Sequence, residues 1–221
     1  MSITNGYVTI KELQGHLHGN GVPTTFTADD IVNMEFAIEA ISRLIDEKCD
    51  TTFYARTETR YFTPQNSDLL WLDTDLISIT TLKSDEDGNG TYETTWSTSD
   101  YWLEPRNARV KTNEEDKKPY RQIRQNPNGS YAFIKTDYSI EIAGSWGYTD
   151  GIDGSSEPTQ VPPFVKQAVL LMANRIYRRK DAIFGIAGTP ALGVVTVRAK
   201  IKEDSDIMNL LTGIDKRGFY S

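Results

Sequence analysis

Ile31, Met34, Ile38, Ile41 and Ile45 recur at spacings of 3, 4, 3 and 4 residues, a repeat that gathers them into one stripe along an α-helix. Thr27, with Asp30 three positions later, marks where that helix begins. A hydroxyl and a carboxylate at this spacing satisfy backbone amides that the first helical turn leaves without partners. The pattern runs to near Cys49. Thr9 and Glu12 repeat the same device upstream and predict a short helix over 9–18, closed by Gly19, Gly21 and Pro23.

Between residues 53 and 148 the period changes from helical to alternating, and Thr, Tyr, Ile and Trp accumulate between turn residues, as strands require. Strands are expected over 54–62, over 69–72 continuing in 76–83, over 91–103 and over 138–146. In the last of these Tyr138, Ile140 and Ile142 share one face, which suits a sheet with one wet side. The polar stretches 111–118 and 126–130 read as exposed loops. Short strands at such intervals favour an antiparallel module over βαβ units.

After a Gly/Ser-rich linker at 149–160, Pro162 and Pro163 open a second helical region, because proline's missing N–H has no partner to lose in a first turn. A helix over 164–180 carries Val165, Ala168, Val169, Met172 and Ile176 on one side and ends in Arg178, Arg179 and Lys180, cations where the helix dipole favours them. Residues 183–193 form an apolar loop rich in Gly and Pro, 194–201 alternates like a strand, and Asp204 or Ser205 caps a last short helix reaching about residue 212. The expected architecture is α+β: a small helical bundle with a long antiparallel β module inserted between the second and third major helices. Its parts are 1–52 (first part of the bundle), 53–148 (β module), 149–160 (linker) and 161–221 (second part of the bundle, with apolar loop, strand and C-terminal docking helix).

Composition narrows the function classes. The 221 residues carry 24 Lys+Arg against 31 Asp+Glu, a net charge of −7, which argues against a protein that coats DNA phosphates or anionic lipid. Hydrophobic residues make up 38%, slightly low for a compact monomer, so part of the burial is expected from a partner. No apolar run approaches a membrane span and the N-terminus lacks the pattern of a signal peptide, so synthesis in the cytoplasm is expected. One cysteine, Cys49, and two histidines, His16 and His18, leave little room for disulfide, thiolate or zinc chemistry. No phosphate-binding, dinucleotide or nucleophile-elbow motif is present, and neither an enzyme nor a cofactor is called for.

Four constellations remain as candidates. Asp85, Asp87 and Asn89, followed by Gly90, have the spacing of the first ligands of a calcium loop, but Trp96 stands where the bidentate Glu should be. Asp-Gly and Asn-Gly pairs are also turn signals, and the turn is the expected role. Arg175, Arg178, Arg179 and Lys180 could meet DNA or an acidic partner, or simply complete a helix end. Trp71, Trp96, Trp102 and Trp146 could form a sugar platform, or pack as strand residues do. Finally, Ile183, Phe184, Ile186 and Leu192 in the loop, Val195 and Val197 in the strand-like run, and Ile207, Leu210, Leu211, Phe219 and Tyr220 at the end form a candidate assembly surface, since such side chains cost free energy when left in water.

The order of segments carries a resemblance. Residues 7–17 (YVTIKELQGHL), the long helix running into Ile41-Ser-Arg-Leu-Ile-Asp-Glu-Lys-Cys, Phe53-Tyr54 and Thr59-Arg-Tyr-Phe62 resemble the N-terminal part of head-tail connector proteins of tailed bacteriophages, also called adaptor or head-completion proteins. The likeness continues in 76–82, 101–107, 144–148 and 161–182, in colinear order. The chain departs from the shortest members by its long β segment. The resemblance implies a non-enzymatic virion protein, a homo-oligomeric ring, expected dodecameric, that binds under the portal protein and extends the DNA channel without sequence recognition. Its other partner would be a head-closure (stopper) or tail-completion protein. The rival readings are a neighbouring head-closure or tail-completion component and, from a different class, a calcium- or carbohydrate-binding β module.

Overall fold

A computed structural model describes residues 3–18, 25–110, 117–149, 160–179 and 205–211. The fold is mixed α+β, with helices α1 (Ile10–His18), α2 (Ala28–Cys49), α3 (Pro163–Arg179) and α4 (Ser205–Leu211), and strands β1 (Arg56–Phe62), β2 (Leu69–Ser84), β3 (Thr94–Thr95), β4 (Tyr101–Glu104), β5 (Tyr120–Gln125) and β6 (Ile140–Trp146). It divides into two compact units: Met1–Asp50 with Gly154–Ser221, and Thr51–Asp153.

The helical unit follows its caps and stripes. Thr27 Oγ1 accepts from the Asp30 amide at 3.2 Å while Asp30 accepts from the Thr27 amide at 3.0 Å, and Thr9 and Glu12 make the same exchange at 3.1 and 2.7 Å. Met34, Ile38, Ile41 and Ile45 are buried, and Ile31 is half-buried at the first turn. They face Val165, Ala168, Val169 and Met172 of α3, which packs on α2. Ile176 corrects the expected stripe: it is 41% exposed, and Ala173 and Tyr177 are buried instead. The Tyr177 hydroxyl donates to Asp30 Oδ1 at 3.0 Å and its ring meets Phe26 edge-on, so the end of α3 is fixed by the larger, hydrogen-bonding side chain.

The segment before α1 is strapped onto α2. The Tyr7 amide donates to the buried Ser42 Oγ at 3.1 Å, and the Tyr7 hydroxyl bonds Asp46. Arg43 reaches the Asn5 carbonyl at 2.8 Å and lies over the Tyr7 ring. Lys166 of α3 pairs with Glu12 of α1 at 3.4 Å.

The second unit is one antiparallel sheet in the order β1-β6-β2-β5-β4, with β3 paired to β2. Its core holds Phe62, Leu70, Leu76, Leu82, Trp96, Ile123, Ile140, Ile142 and Trp146. Three expectations are corrected. The run 69–84 is one bulged strand rather than two pieces, and its register shifts at Leu76–Ser78 and Ile79–Thr81. The expected strand 91–103 is broken into β3 and β4 by a turn in which the Asp100 carboxylate accepts from the Ser97 amide at 2.8 Å. Tyr138 lies outside β6 at φ +53° and is 66% exposed, while Ile140 and Ile142 are buried. Strand β5 was hidden by polarity, since Ile123 is its one buried residue. The expected strand at 194–201 and the loop at 183–193 lie outside the described residues.

At one bulge of β2 the backbone of β6 comes so close that a Cβ on Gly144 would sit 2.3 Å from the Ser78 carbonyl oxygen. Gly144→Ala should therefore lower stability by about 1–3 kcal/mol, the usual cost of forcing an extra methyl into packed structure, read as a lower urea midpoint at an unchanged slope. Ile41→Asp forfeits about 1.5–3 kcal/mol of burial and adds an unpaired charge. Helical circular dichroism should collapse while the near-ultraviolet signal of the sheet's buried tryptophans survives. A soluble Ile41→Asp protein with wild-type melting would contradict the packing of α2 on α3.

Candidate functional site

Loop 85–93 is built around one carboxylate. The buried Asp85 side chain accepts backbone amides from Gly88 at 2.8 Å, Asn89 at 3.3 Å and Gly90 at 2.7 Å. Burial alone would raise its carboxyl, but those three amides outweigh it and hold Asp85 below the ordinary carboxylate value. Asn89 donates to Asp87 at 2.9 Å and to Glu93 at 3.3 Å, and the carboxylate oxygens of Asp85, Asp87 and Glu93 lie within 4.8 Å of one another. Glu93 is thus the third carboxylate, which the ligand spacing did not single out. Trp96, at the twelfth position, is buried, donates to Ser84 Oγ at 3.0 Å and stacks on Phe133.

The remaining sequence candidates disperse. Arg175 and Arg178 are exposed on α3, with Arg178 donating to Asn174 at 2.8 Å, while the side chain of Arg179 and all of Lys180 lie outside the described residues. Ile207 and Leu211 of α4 are buried in the helical unit, where α4 packs on α3, and Leu210 is half-buried. Burial makes the first two core residues of this unit. The other candidate docking residues, Ile183, Phe184, Ile186, Leu192, Val195, Val197, Phe219 and Tyr220, lie outside the described residues. His16 and His18 are half-buried on α1 and join no cluster of three metal-ligating side chains among the described residues.

The tryptophans do not form a platform. Trp96 and Trp146 are core residues, Trp102 lies under the Arg106 guanidinium at 4.5 Å, and Trp71 is 41% exposed. Three tyrosines instead share one groove at the edge of the sheet unit: Tyr61 and Tyr138 are exposed, and Tyr92 is half-buried. The turn-forming Thr136-Asp137 pair just before Tyr138 was the sequence signal that this ring leaves the strand.

No protein-family model matches the chain, and no curated protein matches it. Among solved structures it is similar to a chain of the neck of an empty gene transfer agent particle, computed with C6 symmetry, at TM-score 0.55 and 16% identity, over 97% of this chain and 92% of that one. It is also similar to a chain of the virion of a native gene transfer agent particle, at TM-score 0.53 and 18% identity, over 96% and 91%. The likeness is one of fold.

The Asp85 geometry fixes a sign. A carboxyl depressed in the folded state stabilises the protein above its unfolded-state pKa, and that contribution disappears as pH falls through the folded-state value. Asp85→Ala should lower the melting temperature at neutral pH, and the gap to wild type should close on acidification. Millimolar calcium should leave the wild-type melting temperature unchanged, because Asp85 already spends its oxygens on amides. A rise that Asp87→Ala abolishes would contradict this.

Proposed function

We propose that this chain is a non-enzymatic structural protein of the neck of a tailed, phage-like particle, situated at the head-tail junction. The observation that carries the reading is the near full-length likeness of fold to chains from gene transfer agent particles, one of them from a neck. It agrees with the colinear connector-like segments in the sequence, which the fold likeness does not use.

In this reading the chain forms a homo-oligomeric ring, dodecameric by the connector resemblance, beneath the portal protein, and meets a head-closure or tail-completion protein on its other side. DNA passes through without sequence recognition. The net charge of −7 suits a channel wall, since it repels phosphates rather than condensing them. Helices drawn from both ends of the chain supply the ring body, and the inserted sheet is an additional module on it. Portal docking falls to the apolar residues of 183–197, with Phe219 and Tyr220.

Light scattering of the full chain with and without purified portal protein tests this directly. A defined ring mass that appears on the portal is expected, and an unchanged subunit mass under all conditions would contradict it. The double substitution Phe184→Ser with Ile186→Ser should leave the melting temperature of the free chain unaltered while cutting its incorporation into portal-bearing heads at least tenfold. Normal incorporation would remove the loop from the docking surface.

A further inference from the structure

The groove at the edge of the sheet unit is shallow and open, with a volume of about 680 Å³. It lies along β1, the last strand in the sheet order. Two of its tyrosines are unusually open: Tyr61 is 49% and Tyr138 66% exposed. Tyr61 and Tyr92 place their ring centroids 5.5 Å apart at 35°. Tyr138 has φ +53°, a left-handed conformation that an aromatic L-residue rarely adopts. Both of its backbone polar groups are held: its amide donates to Thr63 Oγ1 at 2.9 Å and its carbonyl accepts from the Tyr92 hydroxyl at 2.7 Å. Strain of this kind persists where the surroundings over-determine it, and it clusters at ligand clamps. Here its result is a large apolar ring held at the surface.

The polar rim selects the class of ligand. Arg60 is already clamped, donating to Glu58 at 2.8 and 3.1 Å and to Thr74, with its guanidinium 5.0 Å over the Trp146 ring. Asp73 is exposed and accepts from Thr74 at 2.7 Å, which leaves acceptor capacity for a further donor. The Tyr92 hydroxyl already donates to the Tyr138 carbonyl, which leaves its oxygen as an acceptor for a ligand hydroxyl. An anion in the groove would meet Asp73, and a cation would meet Arg60. A neutral ring with apolar C–H faces and a hydroxylated edge meets neither obstacle.

We propose that this groove binds a hexose unit of a glycan, whose ring packs on Tyr61, Tyr92 and Tyr138 and whose hydroxyls pair with Asp73 and the phenols. Tyr138→Gly is the informative variant. Glycine adopts positive φ without strain, and the carbonyl that holds Tyr92 remains, so the melting temperature should be unchanged or higher while the ring is gone. Nuclear magnetic resonance titration of the full chain with maltohexaose, chitohexaose and cellohexaose, each at about 10 mM, a level that mostly fills even a millimolar site, should shift the Tyr61, Tyr92 and Tyr138 resonances with at least one of them. Tyr138→Gly should weaken that binding at least tenfold. No shift with any of the three sugars overturns the proposal, as does binding that Tyr138→Gly leaves intact. If the sugars are inert and Tyr138→Gly instead prevents self-association, the groove is a contact between copies and the proposal falls, with the neck reading untouched.

Discussion

Neither α2 nor α3 can bury its apolar stripe alone, and the described part of the helical unit is arranged around that constraint. Met34, Ile38, Ile41 and Ile45 need Val165, Ala168, Val169 and Met172, although more than a hundred residues separate the two sets. At about 1.5–3 kcal/mol for each large side chain, against a total stability of about 5–15 kcal/mol, the unit stands or falls with this one interface. The polar ties follow the packing. Tyr177 reaches Asp30 at one end of the pair, and Lys166 reaches Glu12 on α1.

Bringing distant segments together across a long loop would be slow and entropically costly were the intervening chain unfolded. The sheet unit removes the difficulty by closing on itself. Its entry and exit are hydrogen-bonded to each other, since the Tyr148 amide donates to the Thr52 carbonyl at 2.7 Å and Thr149 Oγ1 donates to the Phe53 carbonyl at 2.7 Å. Buried Asp75 adds a clamp at the same place, accepting from Thr51 Oγ1 and pairing with Arg121 at 3.2 Å. An insertion whose ends meet leaves the host unit's geometry intact, as tolerated domain insertions do.

The helices were legible because each states its start, stripe and stop locally: the Thr27–Asp30 cap, the Ile/Met repeat, and proline at 162–163. The sheet was legible only in part. Strands paired through hydrophobic faces, such as β6 with Ile140 and Ile142, could be read, whereas β5 has just Ile123 to mark it and the break between β3 and β4 depends on Asp100 capping a turn. The acidic loop could be read as a turn, but that Asp85 holds three amides is a matter of three-dimensional closure. The tyrosine groove was not legible at all, because Tyr61, Tyr92 and Tyr138 come from three separate segments that only the folded sheet unit assembles.

The claim on which this account rests is that the two ends of the chain form one cooperative body while the inserted sheet keeps its own. Native-state hydrogen exchange on the full chain measures this residue by residue. The buried amides of α2 and α3 should share a single opening free energy and lose stability together in Ile38→Val, while the amides of β2 and β6 keep theirs. Amides of α3 that exchange far faster than those of α2, or a β6 that weakens in step with them, would contradict it.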